Sequence, residues 1–396
     1  MTENDTQENI DTMAEKKWVT MWANATSIAE RRPENYAKNL TLRYPLYIPF
    51  SGKQLRVTFS NYCGTEPIRI ARAYVAVATG DQTIDVQSSR EITFQGKRDV
   101  TIADGTETVS DSVDFLASQG QKLMVSFYLE DFTQMRSTVL ITGPLSKGAF
   151  AVGDYVQARK LPAKDRKSTN WFYFLNKVEL LTKDTNRTVI CYGDSITSQD
   201  WPDDLMLRLA QMGKTDTAIV RRAVSGTRVL REYDCITYAS YGLKGADRFC
   251  REVGSVSGAD TVLIQHGIND IIHPVGREVN QFRPWSDLPT AQELIGGLHT
   301  YIQDAVKMGL KVYAGTLLPI QGWRTDAPFR EQLRSEVNEW LRTTTEIDGC
   351  VDFDRALRDE HNPAGFAPGY DSGDHLHPSK SAYERMAQEA CERLFG

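Results

Sequence analysis

Four short strings in the second half of the chain hold the residue types that acyl transfer needs. They are a serine in Gly193-Asp194-Ser195, a glycine in Ser225-Gly226-Thr227, a carboxamide in Gly267-Ile268-Asn269-Asp270, and an acid with an imidazole in Asp374-His375-Leu376-His377-Pro378. In that chemistry Ser195 is the nucleophile, and His377 is the general base that takes its proton and returns it to the leaving alcohol. Asp374, three residues before His377, is the carboxylate that fixes the imidazole tautomer. The Ser195 and Gly226 amides and the Asn269 side chain would form an oxyanion hole, where loss of one donor costs about 2.7–4 kcal/mol of barrier. Each string alone is weak, because a Gly-Asp-Ser is commonly just a turn; the four together carry the reading. His375, His377 and Asp374 also read as three metal ligands, but no fourth ligand is signalled, and neither metal nor cofactor is expected. Asp194 reads as a turn-ordering residue and His266 as a hydrogen-bonded core histidine.

Residues so far apart meet only if the fold gathers them. From Thr188 onward apolar runs alternate with amphipathic ones: Thr188–Tyr192 then Pro202–Met212, Ala218–Val224 then Tyr241–Val253, Thr261–Gln265 then Ala291–Met308, Lys311–Leu317 then Phe329–Thr345, Cys350–Phe353 then Ser379–Leu394. Strands alternating with helices predict a parallel sheet covered on both faces, a three-layer α/β domain. Ligands in such sheets sit at the carboxyl ends of the strands, where the first three strings fall. The polar insertion 272–289 reads either as a lid or specificity wall or as a solvated loop. The stretch 18–157 has another rhythm: short alternating runs between turns such as Ser51-Gly52 and Asp104-Gly105, the pattern of a β-sandwich or jelly roll. Tyr47, Tyr74, Phe94, Phe127 and Tyr128 there read as core more readily than as a ligand platform. Residues 1–17 are expected to be loosely ordered, 158–186 to be a connector, and 187–396 to be the catalytic domain.

Composition bounds the partners. Lys plus Arg total 46 against 52 Asp plus Glu in 396 residues, so the basic excess that neutralises a phosphate backbone is missing and nucleic acid is a poor partner. No apolar run approaches a membrane span, and the first sixteen residues are polar and acidic, so a cytoplasmic protein without a membrane partner is expected. Six scattered cysteines without a CxxC pair read as reduced, mostly buried thiols. No G-x-S-x-G, HExxH, P-loop or G-x-G-x-x-G string is present, which removes those enzyme classes.

Gly193-Asp194-Ser195-Ile196, Gly226, Gly267-Ile268-Asn269-Asp270 and Asp374-His375-Leu376-His377-Pro378, in that order, resemble the four blocks of the SGNH, or GDSL, hydrolase family. The resemblance spans roughly 186–396. The run from Val351-Asp352-Phe353-Asp354 to Pro378 is similar to a bacterial two-domain subgroup with a β-sandwich ahead of the hydrolase. That subgroup usually continues its first block toward Asp-Gly, whereas this chain has Thr197-Ser198-Gln199-Asp200. The resemblance implies a flavodoxin-like, five-stranded parallel sheet and a serine esterase that cleaves short acyl esters, acetyl foremost, from a small molecule or an oligosaccharide. A lipase or lysophospholipase-type esterase of the same fold is the alternative. It needs a long apolar channel, against which the polar residues Asp200, Asp203, Asp204, Arg228 and Arg231 speak. A non-catalytic carbohydrate-binding protein is the second alternative, and the oligomeric state is left open.

Overall fold

The structure, a computed structural model, describes residues 17–29, 36–233 and 235–396. The segment expected to be loosely ordered lies outside the described residues as far as residue 16; Lys17 already opens a strand. The principal strands of the front half are β1 (Lys17–Ala23), β2 (Ser27–Ile28), β3 (Leu40–Tyr47), β4 (Gly52–Ser60), β5 (Arg72–Gly80), β6 (Lys122–Leu129), β7 (Ser137–Leu140), β8 (Gly148–Val152), β9 (Trp171–Tyr173) and β10 (Leu175–Thr182). They pair antiparallel throughout. One sheet runs β1–β10–β4 and continues with Glu107–Val109 and Val113–Ala117; a second has β8–β3–β6–β5 at its centre; a small third is β9–β7–β2. Phe59 of β4 meets Phe127 of β6 edge-on at 5.1 Å, so the two larger sheets share a core. Phe94 and Phe127 are buried in that core, while the Tyr74 and Tyr128 hydroxyls bond to Glu91 and Asn39.

The stretch 158–186, expected as a connector, is different. It contains β9 and β10, and β10 is an inner strand between β1 and β4. Its polar residues are buried because this strand faces the second half of the chain. The Lys177 ammonium donates to the Ser255 carbonyl (2.8 Å), and Glu179 is clasped by Arg56 at 2.8 and 3.0 Å and by the Ser257 hydroxyl. Polar content normally read as solvent-facing here marks a seam. Across the same seam the Thr20 amide donates to the Ser257 carbonyl (2.9 Å), and the buried Arg222 guanidinium reaches the Asn24 carbonyl and the Asn176 side chain.

In the second half β11 (Arg187–Gly193), β12 (Thr217–Ala223), β13 (Ala259–Gln265), β14 (Lys311–Gly315) and β15 (Gly349–Val351) form a five-stranded, all-parallel sheet in the order β12–β11–β13–β14–β15. This is the order 2-1-3-4-5, with the switch point beside the first strand. Apolar residues such as Val189, Ile190 and Cys191 on β11 and Val262, Leu263 and Ile264 on β13 are buried in unbroken runs, as a sheet covered on both faces requires. The helices are α1 (Ser195–Ser198), α2 (Trp201–Gln211), α3 (Gly245–Gly254), α4 (Ile268–Ile272), α5 (Ala291–Lys307), α6 (Pro328–Thr343), α7 (Phe353–Leu357) and α8 (Lys380–Phe395). They gather in two groups: α2 and α8 pack together, and α5 packs on both α3 and α6. Trp201 meets Phe353 in one group, and Tyr192 of β11 meets Phe249 and Tyr301 in the other.

No described helix is long and apolar enough to cross a membrane. All six cysteines are free thiols, but only Cys191 and Cys391 are buried; Cys250 stands exposed on α3 beside Asp304, because that helix turns this position outward.

Candidate active site

Three loops at the carboxyl ends of neighbouring strands bring the site together. Gly193 of β11 pairs with Ala223 of β12 and Gln265 of β13, so the chain leaves all three strands at one level. A Cβ at Gly193 would overlap the Gln265 carbonyl and Thr197, so only glycine lets the turn into α1 lie this close to β13. Asp194 caps α1 by accepting from the Ile196 amide (3.0 Å), which leaves Ser195 as the first residue of the helix. Its amide is among those with no partner inside the helix. Gly226 has φ +79, and a Cβ there would overlap the Tyr241 ring, so both the backbone and the space require glycine. Gly267, at φ +125, turns the chain from β13 into α4 and delivers Asn269, whose Nδ2 donates to the Thr227 carbonyl at 3.0 Å.

The imidazole arrives from the loop before α8. His377 Nδ1 lies 2.6 Å from Asp374 Oδ2, and His377 Nε2 lies 2.9 Å from Ser195 Oγ. Asp374 Oδ1 accepts from the Leu376 amide (3.0 Å) and the His377 amide (2.8 Å). Partial burial raises this carboxyl, but the His377 ring and the two amides outweigh it and hold it down at about 2. An ionised Asp374 can only accept, so Nδ1 carries the ring proton and Nε2 presents a lone pair to the serine hydroxyl.

These groups open onto a cleft of about 390 Å³ that Ser195, Gly226, Asn269 and His377 all line. Leu140 and Thr142 of the front half are also on its wall, as are Tyr241, His273, Trp323 and Arg324. Thr142 is fixed there by its hydroxyl on Asp200 (2.6 Å) and its amide on the Ser198 carbonyl (3.1 Å). Trp323 and Arg324 follow β14, so the rule that drew attention to the other strand ends could have found them. Leu140 and Thr142 carried no such signal, because only tertiary packing brings them to the site.

Other candidates fall elsewhere. His375 turns away from His377 to pair with Asp371 at 2.5 Å, and its φ of +62 sends the chain in another direction. His266 donates from Nε2 to the Thr227 carbonyl (3.2 Å) and accepts at Nδ1 from the Tyr301 hydroxyl (3.2 Å), and burial drives it down to about 3. It is a neutral core residue behind the Gly226 turn. Asp194 is fully buried with its second oxygen unpartnered, and burial pushes it up to about 7. Of the insertion 272–289 only His273 lines the cleft; burial holds it well below the usual imidazole range, and it shares a 2.5 Å hydrogen bond with Tyr233. The rest of that insertion is tied aside, with Arg283 on the His273 carbonyl and Asp287 paired to Arg228 at 3.0 Å. Asp200, Asp203, Asp204, Arg228 and Arg231 do not line the cleft at all.

Residues 191–385 match the model of the GDSL-like lipase/acylhydrolase family. The chain is a member of the SGNH/GDSL hydrolase family. Solved structures similar to this SGNH/GDSL hydrolase include a GDSL-like lipase from Bacteroides thetaiotaomicron, at 18% identity over 52% of this chain and 86% of that one, with a TM-score of 0.37. A carbohydrate acetylesterase from Sinorhizobium meliloti is 16% identical over 53% of this chain and 98% of that one, with a TM-score of 0.38. An acetyl xylan esterase is 19% identical over 52% of this chain and 100% of that one, with a TM-score of 0.39. No curated protein sequence matches this SGNH/GDSL hydrolase.

Proposed function

We propose that this SGNH/GDSL hydrolase is a serine esterase that cleaves short-chain carboxylic esters, with short O-acyl groups on carbohydrate as the favoured substrate class. The observation that carries the reading is the unbroken hydrogen-bond line from Ser195 through His377 to Asp374, beside a glycine amide and a carboxamide in one cleft. Ser195 Oγ attacks the ester carbonyl as His377 Nε2 takes its proton, and the charge on the carbonyl oxygen is met by the Ser195 and Gly226 amides and Asn269 Nδ2. His377 then protonates the departing alcohol. In the second half water attacks the acyl-Ser195 ester, gives its proton to His377, and releases the acid while the serine recovers its hydroxyl. Asp374 stays ionised throughout and stabilises the imidazolium. No step calls on a metal or cofactor. In this reading the front half is a jelly-roll-like β-sandwich, and Leu140 and Thr142 are its contribution to the cleft.

The test is Ser195→Ala assayed on p-nitrophenyl acetate. Turnover falls to the uncatalysed background with an unchanged circular dichroism spectrum; activity near that of the parent protein would overturn the assignment. Acetate release from acetylated oligosaccharides then decides the carbohydrate half of the reading.

A further inference from the structure

Past Gly226 the catalytic cleft adjoins a second chamber of about 90 Å³ that lies between the two halves of the chain. Ile28 of β2, Leu140 of β7 and Trp171 of β9 wall it from the front, and Val224, Ser225 and Tyr241 wall it from the hydrolase side. Leu140, Ser225 and Tyr241 border both spaces, and Ser225 immediately precedes the oxyanion glycine. Among the described residues, none that lines the chamber is charged. The cleft itself also presents the Arg324 guanidinium, stacked 4.6 Å over Trp323, and the imidazole of His273. The chamber walls are fixed from both sides: the Ser27 hydroxyl donates to the Ser240 carbonyl (2.8 Å), tying β2 to the helical turn Ile236–Tyr241 that carries Tyr241.

We propose that this chamber receives the acyl chain of the ester, so that the front half sets acyl specificity and the Arg324 side of the cleft takes the alcohol. The inference rests on the esterase reading of Ser195 and refines its acyl half. An uncharged space beside the oxyanion donors suits the one substituent of the reacting carbonyl that is always hydrocarbon. A space of about 90 Å³ holds several groups of methylene size, so butyryl and hexanoyl occupy more of it than acetyl does. Each methylene moved from water into it raises kcat/KM about fourfold.

The experiment is a series of p-nitrophenyl acetate, butyrate, hexanoate and dodecanoate on the full chain and on Ile28→Trp, which fills the chamber from its partly exposed side. The readout is the ratio of kcat/KM for butyrate to that for acetate within each protein, which cancels any common effect on Ser195. The ratio is expected at about fifteen in the parent protein, with dodecanoate below butyrate, and near one in Ile28→Trp. Leu140→Ala enlarges the same space and moves the optimum toward hexanoate. A parent ratio at or below one overturns the assignment, as does an Ile28→Trp ratio equal to the parent's. The parent series decides by itself if a variant does not fold. A parent protein that cleaves none of the esters overturns the esterase reading, and this one with it.

Discussion

Replacing Asp374 by Asn changes one atom of the site and inverts the proton arrangement of its base. Asp374 Oδ1 holds the loop by accepting from the Leu376 and His377 amides, and an Asn Oδ1 keeps both bonds. The change falls on Oδ2, which lies 2.6 Å from His377 Nδ1. An amide NH2 there is a donor, so the ring must offer a lone pair at Nδ1 and carry its proton on Nε2. A protonated Nε2 cannot take the Ser195 proton 2.9 Å away. Loss of the correct tautomer costs about 10⁴ in kcat, or about 5 kcal/mol at 1.36 kcal/mol per decade. The assay is steady-state hydrolysis of p-nitrophenyl acetate near neutral pH with a melting curve on the same sample. The melting temperature is expected to be nearly unchanged. Asp374→Ala, by contrast, also strips two amides of their acceptor and destabilises the loop by about 1–3 kcal/mol. An Asp374→Asn variant that melts like the parent and retains more than a tenth of its kcat would refute the tautomer argument.

Two other perturbations separate roles within the site. Asn269→Ala is expected to lower kcat by about 10²–10³ with little loss of stability, because the Thr227 carbonyl keeps its bond from His266 Nε2; a loss confined to KM would remove Asn269 from the oxyanion hole. Asp194 is a carboxylate raised to about 7 by burial, so between about pH 4 and pH 7 the folded state binds its proton more tightly than the unfolded chain, and stability falls as pH rises through that window. Asp194→Asn keeps the acceptor for the Ile196 amide without the charge, so its melting temperature gains on the parent's as pH climbs from about 5 to about 8; parallel melting profiles would show that Asp194 does not titrate in that range.

What could be read from the letters follows from where each signal lives. The five strands of the hydrolase half lie within a few residues of their expected places because each is a short buried run followed by an amphipathic helix. That Ser195, Gly226 and Asn269 would come to one cleft was legible because each follows a strand whose carboxyl end lies at the same edge of the sheet. The helix expected over Pro202–Met212 is α2, with Asp200 before its first residue, but the short turn α1 ahead of it, capped by Asp194, was not anticipated. The front half was harder. Short alternating runs announce strands without saying which of them pair, so the division into two larger sheets and the small sheet β9–β7–β2 was not readable. Most of all, β10 was read as part of a connector because Asn176, Lys177 and Glu179 look solvated in sequence, whereas each has a partner on the far side of a domain seam: Arg222, Ser255 and Ser257. Polarity patterns report water; they do not report a buried partner some eighty residues away.

That seam has a consequence for how the molecule can be divided. Buried apolar side chains from Val19 on β1 to Cys391 on α8 belong to one continuous core, and Arg222 of β12 hangs its guanidinium on groups of the front half. Trimming the chain near residue 186 to obtain a minimal catalyst would bare greasy surface, orphan Arg222 and remove part of the substrate's enclosure in the same cut. With one shared core the two halves are expected to melt together in a single transition, and a change in the front half can reshape the cleft as readily as a change beside Ser195.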